Sequence, residues 1–467
     1  MKELMSCMKK YRTEAVLAPL FKLCEACMEL LVPLVVAMIV DVGIAAGDVS
    51  YIVGRCLILV AFGVAGLAFA LTAQFFAAKA AVGTSALLRQ RLFDKLQSLS
   101  YTQIDDLGTA TMITRMTSDV NQVQSGVNMT LRLLLRSPIV VFGATVMAFV
   151  VDWAAALVFV AVTPLLAAAV VGIMRATVPM YKKVQGKMDG VYLATHENLA
   201  GVRVIRAFCK EEDEKREFAR RNAELRREQK LAGGIAALTN PITYALVSVA
   251  SIALVWVGGY RVDTGVLLQG DVIALYSYLS IILVELVKFA NLIFTASKAI
   301  SCEKRIEAVL AKEGEPSVLA PERECAEAGA DAPAFAFEDV TFAYHGGGAP
   351  ALHNITFSAK RGETVGILGG TGSGKSTLVN LLPRFYPASR GAVRLDGVNV
   401  NAIPAEVLRS RVGVVPQKAV LFKGTIRSNL LWGNGGATDE QLARAVRLAQ
   451  AEDVVRAKGG LDAPVEQ

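Results

Sequence analysis

The residues best suited by type and spacing to do chemistry form the run GGTGSGKST, in which Gly369, Gly374, Lys375 and Ser376 fill the pattern G-x-x-x-x-G-K-[ST]. Glycines at these intervals let a backbone wrap around an anion, so that its N–H groups and the start of the next helix face phosphate oxygens. Gly370, Thr371, Gly372, Ser373 and Thr377 complete the loop. In this pattern the lysine amine reaches the β- and γ-phosphates of a nucleotide, and the serine hydroxyl binds Mg²⁺. The pattern needs an apolar strand before it and a helix after it, and the flanking TVGIL and STLVNLL are read as both.

Other ionisable residues lie inside apolar runs. Glu25 and Glu29 are one helical turn apart, as are Glu285 and Lys288, so each pair shares a helix face. Charge at membrane depth is costly, and two uses fit equally well: the lining of a transport pathway, or pairing between helices with snorkelling at the inner boundary. If they line a pathway, Glu25 and Glu29 favour cationic substrates. Cys24 and Cys27 form a CxxC, but within an apolar helix they read as small packing residues rather than a redox or metal pair.

The elements that position these residues follow from composition. The chain has 467 residues, 53% hydrophobic and 19% charged, with a mean hydropathy of +0.44. An ordinary soluble domain has about a quarter charged residues, so part of this chain is expected in lipid. A net charge of +7 from 49 basic and 42 acidic residues is too small a surplus for a nucleic-acid binder. Seven irregularly spaced cysteines are not a disulfide framework, and three histidines leave little room for a His-based metal site.

Six apolar runs are long enough to cross a bilayer: roughly 15–45, 51–80, 131–151, 153–174, 237–260 and 271–295. They form three hairpins with short links, separated by long polar segments that carry Arg89, Arg91, Arg115, Lys182, Lys183, Lys187, Arg203 and Arg206. The positive-inside rule puts both termini and both long segments in the cytoplasm. Helical periodicity in ALLRQRLFDKLQSL and in 191–230 predicts that the spans continue inward as stalks. An Ala-, Glu- and Pro-rich stretch at 311–334 reads as a linker. Beyond it, AFAFEDVTFAY, ITFSAK, TVGILG, AVRLDG and VGVVP alternate with turns and helical patterns, an α/β signature. The expected architecture is an all-α six-helix transmembrane domain over 1–310, the linker, and an α/β P-loop nucleotide-binding domain over 335–467, which the resemblance below implies is incomplete.

On these motifs the chain resembles the ATP-binding cassette (ABC) exporters that fuse six membrane spans to a nucleotide-binding domain. VTFAYHG is similar to the segment whose aromatic residue, here Tyr344, stacks on adenine, and TGSGKST to the Walker A loop. VGVVPQKAVLFKGTIRSNL resembles the Q-loop, with Gln417 as the glutamine that contacts Mg²⁺ or the attacking water. IDDLGTATMITRMTSDV and HENLAGVRVIRAFCKEEDE resemble the tips of the two cytoplasmic loops, which implies coupling helices at 106–114 and 195–204. The resemblance implies Lys375 and Gln417 as catalytic residues, Ser376 and Gln417 as Mg²⁺ contacts, and ATP with Mg²⁺ as cofactors. It also implies a second half-transporter as partner, identical or not, in a bacterial plasma membrane, and export of an amphipathic molecule, lipid or peptide by alternating access.

The family pattern continues past the Q-loop with a signature motif, a Walker B strand with its catalytic Glu, and a switch His. None is found through 438–467, so the chain is expected to be truncated before the signature and not to hydrolyse ATP alone. One rival reading is a non-hydrolysing partner or regulatory half of a heterodimeric exporter. A more distant one is a membrane-tethered P-loop signalling ATPase.

Overall fold

The computed structural model describes residues 2–316, 318, 332–346 and 348–465, and contacts divide the chain into two compact units, Met1–Glu315 and Pro316–Gln467. The linker expected at 311–334 lies for the most part outside the described residues.

In the first unit a short helix, Lys2–Lys9, precedes six long helical stretches: Arg12–Ile44, Val49–Gln97, Thr109–Val151, Trp153–Ala200, Glu211–Asp263 and Gln269–Leu310. All six are long and apolar enough to cross a membrane, and each contains one of the expected runs. They exceed the roughly 20 residues that a bilayer needs, so the stalks predicted from periodicity are helical continuations of the spans. Asp152 alone separates the third stretch from the fourth, and its carboxylate caps the new helix by accepting from the Ala155 N–H at 2.8 Å.

Small residues dominate the core of this unit. Ala26, Ala144, Ala148, Ala155, Ala156, Ala250 and Ala274 are buried together with Leu30, Phe159, Leu254 and Tyr278. Small side chains let helices approach closely where lipid supplies no hydrophobic drive between them. At Gly126 the approach has no slack, because a Cβ there would lie 2.2 Å from the Ala299 Cβ of the sixth stretch.

One expectation for this unit is corrected. The segments 106–114 and 195–204, expected as one short helix each, are each interrupted at a glycine. Helix Tyr101–Leu107 ends at Gly108, whose φ of 72° is left-handed, before Thr109–Thr114, and the long fourth helix ends at Ala200 with Gly201 before Val202–Ala207. Left-handed backbone is open to glycine at little cost and ends the helix at Gly108; Gly201, at φ −92°, ends the fourth helix without it. Of the two uses weighed for the intramembrane carboxylates, pairing is present, while Glu25 and Lys288 also line a cavity. Glu29 and Glu285 both accept from Arg136, each at 2.5 Å, Glu285 also accepts from Lys288 at 2.8 Å, and Glu25 pairs with Lys22 one turn away.

In the second unit strands β1 (Phe335–Phe342), β2 (Leu352–Ala359), β3 (Arg390–Leu395) and β4 (Val398–Asn399) form an antiparallel sheet in the order β2-β1-β3-β4. Phe337 on β1 lies opposite Phe357 and Val393, and its ring stacks on Phe357 at 4.9 Å. Helices Lys375–Leu381 and Ala405–Arg411 bring Leu378, Leu381 and Leu408 into the same core. A separate two-stranded ladder joins β5 (Gly424–Thr425) to β6 (Pro464–Val465).

Three of the five predicted strands form. TVGIL (364–368) and VGVVP (412–416) do not; both lie outside any ladder, with Leu368 97% and Val415 96% exposed. Continuous apolar runs of this kind suit parallel strands covered on both faces. The sheet described here is antiparallel and gives neither run a neighbour to pair with.

Candidate nucleotide-binding site

The glycine-rich loop leads into helix Lys375–Leu381 through two left-handed glycines, Gly372 at φ 85° and Gly374 at φ 87°. Gly374 could not carry a side chain, since a Cβ would lie 2.8 Å from Leu352 Cδ2 and 2.9 Å from the Ala351 carbonyl oxygen. That close approach seats the first turn of the helix against the β2 end of the sheet, and burial of Leu378 and Leu381 holds it there.

Lys375 folds back over the loop. Its Nζ donates to the carbonyls of Gly369 at 2.9 Å and Gly370 at 2.6 Å and to Ser373 Oγ at 3.3 Å. The ammonium is therefore held at the mouth of the loop by neutral acceptors, which phosphate oxygens outcompete because hydrogen bonds between two charged groups are stronger. A loop open at its backbone, with a lysine at its mouth and no room for a side chain at Gly374, fits the triphosphate of a nucleotide.

Two of the more distant site residues part company here. Tyr344 joins the loop: its hydroxyl shares a hydrogen bond of 3.1 Å with Thr377 Oγ1, and its ring stands edge-on to Phe342 and Tyr386, with centroids at 4.8 and 5.3 Å. Tyr386, which the sequence analysis did not single out, thus fixes the orientation of Tyr344. Gln417 does not join it. It is exposed, follows the unpaired run VGVVP, and makes no hydrogen bond to Lys375 or Ser376. Ser376 is also exposed. Thr371 and Gly372 lie on the outer turn of the loop, open to solvent.

Two buried cations, Arg384 and Arg136, carry no motif that marks them in the sequence. Arg384 is 1% exposed and donates to the carbonyls of Ile403 at 2.9 Å and Val400 at 3.1 Å, tying the end of the loop helix to the segment after β4. Nothing in its spacing marks it. Arg136 could have been noticed, because it stands one turn from Arg132 at the start of the third apolar run and shares its helix face.

A helical unit built to cross a membrane, continuous in one chain with a P-loop domain, defines a transport ATPase with its permease attached. The comparisons with known proteins agree. A family described as ABC transporter transmembrane region matches residues 16–286, and one described as ABC transporter matches 352–464. The uncharacterized ABC transporter ATP-binding protein YfiB of Bacillus subtilis is 32% identical over 100% of this chain and 81% of its own length. An uncharacterized ABC transporter ATP-binding protein of Mycobacterium tuberculosis is 33% identical over 97% of this chain and 78% of its own. An ATP-dependent lipid A-core flippase of Syntrophus aciditrophicus is 27% identical over 79% of this chain and 60% of its own. The chain belongs to the ABC transporter family and is a multi-pass membrane protein with fused membrane and ATP-binding domains.

Proposed function

We propose that the chain is one half of a dimeric ATP-driven exporter in a bacterial plasma membrane, with both termini in the cytoplasm, that moves an amphipathic small molecule, lipid or peptide by alternating access. The observation that carries this reading is the loop held open by Gly372 and Gly374, with Lys375 poised across it and Tyr344 tied to its last residue. Its presence in one polypeptide with six helices able to span a bilayer supports coupling to transport.

In this reading Lys375 leaves the Gly369 and Gly370 carbonyls to bind the β- and γ-phosphates, and the backbone N–H groups from Gly370 to Thr377 orient them. Ser376 and Gln417 hold Mg²⁺, which neutralises phosphate charge when bound. Gln417 reaches that position only once the run VGVVP before it is drawn into a paired strand. Tyr344 offers its ring to adenine. The segments around Gly108 and Gly201 serve as the coupling helices.

The test is equilibrium binding of a fluorescent ATP analogue with Mg²⁺ to the purified chain. Lys375→Ala is expected to weaken it by about tenfold to a hundredfold, the size of losing a charged hydrogen bond, and Tyr344→Ala by less. Equal binding by the Lys375→Ala chain would refute the site. Flux of an amphipathic dye into inverted vesicles, dependent on ATP, tests the export half of the reading.

A further inference from the structure

Within the helical unit a cavity of about 600 Å³ opens between the first, second, third and sixth helical stretches. Its lining carries four basic side chains, Lys22, Arg132, Arg136 and Lys288, against one acidic side chain, Glu25. The ion pairs show which of these charges are already matched. Glu25 is taken by Lys22, Glu29 by Arg136, and Glu285 by Arg136 and Lys288, so each carboxylate of the cluster has a cation.

The reverse does not hold. Arg132 is half-buried and makes no ion pair or hydrogen bond among the described residues. Arg136 is only 5% exposed, and its Nε–H is buried with no partner. Asn128, also on the lining, brings an amide with no hydrogen bond among the described residues. The unmet groups thus include a full positive charge and one buried N–H donor, that of Arg136 Nε, and no unmet carboxylate stands among them. An unpaired guanidinium partly withdrawn from water gains from an anion that completes it, and a planar guanidinium matches phosphate and carboxylate geometry.

We propose that this cavity binds the anionic head, phosphate or carboxylate, of an amphipathic substrate, with Arg132 as the principal contact. The proposal deepens the export reading and rests on it. It runs opposite to the expectation that Glu25 and Glu29 select cations, because both are neutralised within the fold.

The test uses the full chain in a neutral maltoside detergent, with dodecyl phosphate, dodecyltrimethylammonium and inorganic phosphate as probes. Dodecyl phosphate is expected to bind at least about tenfold more tightly than the ammonium amphiphile, and Arg132→Gln to remove about tenfold of that preference. Arg132 makes no ion pair or hydrogen bond among the described residues, so this variant is expected to keep its fold, which an unchanged unfolding midpoint verifies. Equal affinity for the two amphiphiles, or a preference unchanged in Arg132→Gln, would overturn the proposal. Inorganic phosphate separates the two sources of an anion: displacement of dodecyl phosphate at equal concentration assigns the site to a soluble anion, and failure to displace it assigns the site to an amphiphile's head. Vesicles without ATP-dependent flux would sink the export reading while leaving these isotherms intact.

Discussion

Arg136 in the helical unit and Arg427 in the cassette each bond two carboxylates, yet their surroundings make the two clusters do different work. Arg136 and its partner Glu285 are 5% and 1% exposed, with Glu29 as the second carboxylate. Arg427 joins Asp439 and Asp462, the latter at 2.7 Å, where both carboxylates stand more than 70% exposed. In the first case the charges have left water and each needs the other, since an ion stranded in a low-dielectric interior pays most of its desolvation. In the second, water and salt solvate the charges whether or not they pair. The helical unit therefore depends on its polar contacts, whereas the cassette is held mainly by Phe337, Val340, Leu381 and their neighbours.

The sharpest way to break that contrast is Arg136→Met. Removing one partner of a buried pair costs about 3–5 kcal/mol, so a large fall in the unfolding midpoint in mild detergent is expected. Replacing Arg136 and Glu285 together by Met should recover much of it. A single variant as stable as the parent would mean that Glu285 is solvated after all.

A second comparison sets close packing against open space. Gly126→Val pushes new atoms into Ala299 and is expected to cost about 1–3 kcal/mol, as overpacking does. Gly413→Ala meets nothing within 4 Å in the cassette, and should stay within about 0.5 kcal/mol of the parent.

The smallest effect belongs to Asp462→Asn, expected to leave the unfolding midpoint unresolved from the parent at physiological salt. Arg427 holds the Asp462 carboxyl below the usual carboxylate range through its hydrogen bond. A carboxylate with a depressed folded pKa stabilises above its unfolded value near 4, and loses that contribution as pH falls through the folded value. A slight excess of acid sensitivity in the parent over Asp462→Asn below about pH 4 is the expected signature.

Legibility in the sequence followed the range of the contacts. The phosphate loop could be read because its function depends on residues 369–377 in sequence, with dihedrals that only glycine adopts readily at 372 and 374. The six spans could be read because each buries its own backbone hydrogen bonds, so length and apolar content suffice. TVGIL and VGVVP look like strands by composition, but a strand exists only when another strand pairs with it, and the run itself cannot supply that partner. Gln417 inherits this dependence, which is why it stands apart from the loop it was expected to join.

By itself the sequence determined which segments enter lipid, which loop can receive phosphate and to which family the motifs point, because each of these depends on neighbours along the chain. Tertiary structure alone decided the fate of the charges. Glu29, Arg136 and Glu285 lie more than a hundred residues apart from one another, and only the packing of three helices shows that each carboxylate of this cluster is matched while Arg132 has no partner among the described residues. The reason is physical: the cost of a charge depends on what surrounds it, and its surroundings are brought together only by the fold.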